Sequence, residues 1–128
     1  MRFMYIVTSS HPMRGPTPAL MEAMAKLADR EIKAGRMIDS GGLMPVSMGA
    51  QVRITDSKLS VVDGPFVETK EMIGGFAILN YASHDEAIAG ARRVMQIHAE
   101  HGITELEIEL RPMMDPGDCG QQVQASAA

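Results

Sequence analysis

The stretch GGFAILNYASHDEAIAGARRVMQIHAEHGITELEIELR, residues 74–111, decides the fold. Its opening, residues 74–81, is apolar on both faces and predicts a strand that needs cover on both sides. Ser83 with Glu86 three residues later matches a capping box, so a helix opens there. Ala87, Ala91, Val94, Met95 and His98 recur at helical spacing and predict its inner stripe, and Gly102 closes it. Residues 105–111 then alternate cleanly. Leu106, Ile108 and Leu110 share one face; Glu105, Glu107, Glu109 and Arg111 share the other, and Pro112 ends the pairing. The stretch is a β-α-β unit.

Working towards the N-terminus, the same pattern recurs. Residues 3–8 (FMYIVT) form a strand that is again apolar on both faces. Residues 9–18 hold three prolines and a glycine and read as a loop. Thr17 is placed to cap a helix with Pro18 at its first position, running to about Ala34 before Gly35. Met21, Met24, Ala28 and Ile32, joined by Leu20 and Leu27, predict its buried stripe. Residues 36–40 make a short strand that Gly41, Gly42 and Pro45 break. Residues 51–55 and 59–62 pair as a hairpin across Asp56-Ser57-Lys58, and Asp63-Gly64-Pro65-Phe66 is a sharp turn. Residues 1–113 therefore form one domain, and residues 114–128, without periodicity, read as a disordered tail.

Two β-α-β halves with an inserted hairpin predict an α+β, ferredoxin-like antiparallel sheet with two helices on one face. The doubly apolar strands then require cover on the other face. A homodimer packing sheet against sheet supplies it most simply.

Composition narrows the function classes. The 128 residues are 45% hydrophobic and 22% charged, enough for one modest core and against a disordered chain. A net charge of −4, with 4% aromatics and no Trp, argues against direct nucleic-acid binding. No apolar run has the length of a membrane span, and the N-terminus lacks a small-residue cleavage site. The single Cys119 permits no internal disulfide, so a cytoplasmic location is expected. The 12 methionines read as core filling more readily than as an adaptable pocket.

Residues 61–76, VVDGPFVETKEMIGGF, resemble the signature of the YCII-related family, specifically its DGPF subgroup. Gly42-Leu43 with Pro45 is similar to that family's G-L-x-P, and Glu109-Leu110-Arg111-Pro112 to its closing E-V-R-P. The resemblance covers residues 1–113. It implies a ferredoxin-like fold that dimerises into an α+β barrel with a cleft beside the sheet. It implies no settled reaction for the subgroup. The wider family's His-Asp pair lacks a matching strand histidine here. The subgroup's link to extracytoplasmic-function sigma factors implies a regulatory or accessory role.

Asp63 is the first candidate for chemistry, as a general base held at the turn or, equally, as an Asx-turn residue. Phe66 reads as a pocket wall or a core anchor. Glu68, Lys70 and Glu71 place three charges within four residues, suited to a polar ligand or to a solvated loop. Arg111, with Glu107 and Glu109, makes a carboxylate–guanidinium strand face, and Asp39 lies on a strand of the same sheet. His98 and His101 have helical spacing but are only two ligands, so no metal is expected, and no cofactor. Two functions fit these residues. One is a cofactor-free lyase or isomerase acting on a small polar or aromatic acid, with Asp63 moving a proton. The other is a non-catalytic small-ligand sensor or accessory dimer tied to transcriptional regulation.

Overall fold

The computed structural model describes residues 1–9, 17–63 and 72–115. In chain order it contains β1 (Arg2–Ser9), α1 (Pro18–Lys33), β2 (Met37–Gly42), β3 (Ala50–Thr55), β4 (Lys58–Asp63), β5 (Met72–Asn80), α2 (His84–Glu100) and β6 (Glu107–Pro112). Strands β2-β5-β1-β6 form one antiparallel sheet in that order, and β3-β4 form a separate hairpin. The architecture is the expected ferredoxin-like α+β layer. Among the described residues no helix is long and apolar enough to cross a membrane.

Local chemistry sets the helix ends. The Thr17 side chain accepts the Leu20 N–H at 3.2 Å, with Pro18 opening α1. Ser83 accepts the Glu86 N–H at 3.2 Å, and the Glu86 carboxylate accepts the Ala82 N–H at 3.1 Å. The capping box is thus shifted one residue outward on its return arm. Gly35 and Gly102, with φ of 77° and 85°, end the two helices in left-handed backbone. At the end of α1 the Gly35 N–H donates to Ile32 and the Arg36 N–H to Glu31. This pair of bonds is a Schellman closure, and it returns Arg36 alongside Glu31.

The core lies between the helices and one sheet face. Phe3, Tyr5, Leu79, Tyr81 and Ala87 are buried together, with Ala77, Ala91, Ile108 and Leu110 packed against them. Tyr5 O–H donates to the Ala87 carbonyl at 2.5 Å. Burial, helped by the neighbouring Tyr81 hydroxyl, pushes the Tyr5 phenol well above its ordinary range.

Three expectations are corrected. Met21 and Ile32 are each 58% exposed, and the buried positions of α1 are Leu20, Leu27 and Glu31. The Glu31 carboxylate takes two hydrogen bonds from Arg36, at 2.5 and 3.2 Å, so its charge is answered inside the layer. Gly41 and Gly42 extend β2 instead of breaking it. Gly41 and its neighbour across the ladder, Gly75, permit close approach: a Cβ on Gly41 would stand 3.1 Å from the Phe76 ring, and one on Gly75 3.0 Å from the Gly41 carbonyl. Lastly, no methionine whose burial is described is buried, so methionine does not fill this core.

Candidate functional site

Alternation along each strand sends the core residues to the helix side and the intervening ones to the opposite, open face. On β1 these are Met4, Ile6 and Thr8; on β5, Phe76 and Ile78. All five are half-buried. Strand register then decides which polar side chains share this face. Met4 pairs with Ile78 on one side and Arg111 on the other, and Ile78 pairs with Asp39. Asp39, Ile78, Met4 and Arg111 therefore form one row across all four strands. The adjacent row is Gly41, Phe76, Ile6 and Glu109. Beyond it Thr8 faces Glu107, and its hydroxyl donates to the Glu107 carboxylate at 3.2 Å.

The result is an apolar floor with charge on both rims. Asp39 and Arg111, both exposed, stand three strand spacings apart, about 14 Å. An irregularity in β2 between Met37 and Asp39 sets the row that Asp39 joins; a second, between Val7 and Thr8 opposite β5, lies beyond both rows. The Asp39 carboxylate accepts the Ser40 N–H at 2.8 Å, which holds it in place on the rim.

Of the residues singled out from sequence, Asp39 and Arg111 are thus brought onto one face. Asp63 is the last residue of β4, its backbone opposite Ala50. Phe66, Glu68, Lys70 and Glu71 lie outside the described residues, as does Cys119. His98 and His101 each place Nδ1 2.8 Å from the carbonyl four residues earlier, Val94 and Ile97, an ordinary helical back-bond. Among the described residues no group of three His, Cys, Asp or Glu could hold a metal ion.

The hairpin is the other conspicuous feature. Val52 pairs with Val61 and Ile54 with Leu59 on one of its faces, and all four are at least 65% exposed. Sequence reasoning missed a further group, the arginines around Glu31. Their positions are scattered along the chain, and only the Schellman turn and the docking of α2 bring them together.

The family model for the YCII-related domain matches residues 1–109. A search of curated proteins finds an uncharacterized protein of Rhizobium meliloti (strain 1021). It is 31% identical over 94 residues, covering 73% of this chain and 73% of that protein.

Proposed function

The chain belongs to the YCII-related domain family, and from that premise we propose that its open sheet face binds a small polar or aromatic acid within a homodimer. The row Asp39–Ile78–Met4–Arg111 carries the reading. Arg111 offers a guanidinium fork to a carboxylate, Ile78 and Met4 an apolar floor, and Asp39 an acceptor for a donor at the ligand's far end. A second copy packed sheet to sheet would enclose this trough and take Met4, Ile6, Phe76 and Ile78 out of water. The apolar hairpin face offers the same partner further contact.

Asp63 serves as the general base in this reading, removing a proton beside the acid group and returning it at a neighbouring atom, as an isomerase or lyase does without a cofactor. Phe66, Glu68, Lys70 and Glu71 follow it in the chain and complete the ligand contacts. The D-G-P-F run at residues 63–66 supports placement in the DGPF subgroup. One observation favours the alternative, a sensor or accessory dimer serving sigma-factor regulation. Asp39 and Arg111 are too far apart to act on one bond, though well placed to hold two ends of one ligand.

Native mass spectrometry of the purified protein, followed by a small-acid panel under turnover conditions, tests both readings. We expect a dimer, converted to monomer by Ile78→Lys at the centre of the open face. Asp63→Asn should abolish turnover and leave folding intact; undiminished turnover removes Asp63 from the mechanism. A bound acid that is never consumed by the unaltered protein selects the sensor. A monomer in the unaltered protein overturns the enclosed site.

A further inference from the structure

On the helix side of the sheet, Arg30, Glu31, Arg36, Tyr81, Glu86, Ala89 and Arg93 line an open cleft of about 460 Å³. Three guanidiniums meet two carboxylates there, a positive balance in a chain whose net charge is −4. Both carboxylates are already committed. Glu31, its side chain 5% exposed, is held by Arg36 through two hydrogen bonds. Glu86 accepts the Ala82 N–H at the start of α2. Arg30 Nε lies 3.9 Å from Glu31, beyond hydrogen-bond length. Arg93 has no hydrogen bond or ion pair among the described residues. Two guanidiniums therefore face one cleft with donors to spare.

We propose that this cleft binds a small oxyanion, the carboxylate or phosphate head of a metabolite, on the Arg93 and Arg30 guanidiniums. The chemistry is specific. A guanidinium presents paired N–H donors in a plane that matches two oxygens of either group, and two forks from different helices can grip one head from two sides. Arg93 lies on the same α2 face as Glu86 and Ala89, seven residues after the first and four after the second. Arg30 sits in the last turn of α1. The two helices thus present the pair as fixed elements. This site is separate from the open sheet face, and neither reading depends on the other.

The test is an NMR titration of the arginine Nε–Hε signals with inorganic phosphate and, separately, with acetate, at constant ionic strength. We expect a saturable shift of the Arg93 signal with at least one of them. Arg93→Ala should weaken binding at least ten-fold, and Arg93→Lys by less. Arg92→Ala, on the neighbouring solvent-facing position, should leave it unchanged. Saturation by phosphate alone assigns a phosphate head, and by acetate alone a carboxylate. No saturable shift with either anion overturns the proposal. So does equal affinity in folded Arg93→Ala, or an equal loss in Arg92→Ala, which would mark diffuse charge attraction. An Arg111→Ala variant that binds both anions normally would confirm that the open face is not being read instead.

Discussion

Gly90→Ala is expected to destabilise the protein by about 2–4 kcal/mol, the size of a severe overpacking defect. Gly90 is buried on the face of α2 that meets the sheet. A Cβ added there would stand 2.2 Å from the Tyr81 hydroxyl oxygen, 2.6 Å from that of Tyr5 and 2.8 Å from the Tyr81 ring. Both tyrosines are buried, at 2% and 6% exposure, so displacing either hydroxyl disturbs packed neighbours. Moving Tyr5 would also break its bond to the Ala87 carbonyl, worth about 1 kcal/mol. Helix propensity pulls the other way: alanine gains about 1 kcal/mol over glycine in a helix interior. The sign of the change therefore separates the two effects. Thermal unfolding should show Tm lowered by about 10–15 °C at this chain length. In a Tyr81→Phe background, where the nearest oxygen is gone, the loss should shrink. A raised or unchanged Tm for Gly90→Ala would mean that α2 stands further from the sheet than this packing requires.

That contact explains why parts of the fold were legible in the sequence and others were not. Local chemistry was readable because it acts within a few residues. Thr17-Pro18, Ser83 with Glu86, and the glycines at 35 and 102 mark helix ends by mechanism, and the structure uses each of them. The alternation of Leu106, Ile108 and Leu110 against Glu107, Glu109 and Arg111 predicted a half-open strand, and β6 is one. The phase of α1 was not readable, because a hydrophobic pattern places Glu31 outside. Only the closure that returns Arg36 makes its burial tolerable. Gly41 is illegible for a similar reason: a glycine that breaks a strand and one that admits a neighbouring ring look alike until Phe76 is in place. For the candidate site, strand alternation indicated that Arg111 faces away from the core. That Asp39 shares its row depends on register through two intervening strands and a bulge, which no local pattern encodes.

Glu31 gives the second large effect, and pH gives its signature. The Arg36 hydrogen bonds hold the Glu31 carboxyl below the usual carboxylate range, against the opposing pull of burial, and the charges of Arg36, Arg93 and Arg30 add to the effect. Its folded-state value is thus depressed relative to the unfolded chain. The resulting stability is fully present above the unfolded carboxylate value, about 4.3. It is lost progressively as pH falls from there through the lower folded value. Glu31→Gln keeps the shape, removes the charge and leaves the half-exposed Arg36 with a neutral acceptor. At pH 7 we expect it to cost about 1–3 kcal/mol. Glu31→Ala should cost more, because it also empties a space at 4% exposure. The decisive readout is the pH profile of chemical denaturation. The unaltered protein should lose stability below about pH 4.5, whereas Glu31→Gln should start lower and decline less over the same range, so that the two curves converge in acid. Parallel curves would show that the Glu31–Arg36 pair contributes nothing that protonation can remove, and that Glu31 is held in the layer by packing alone.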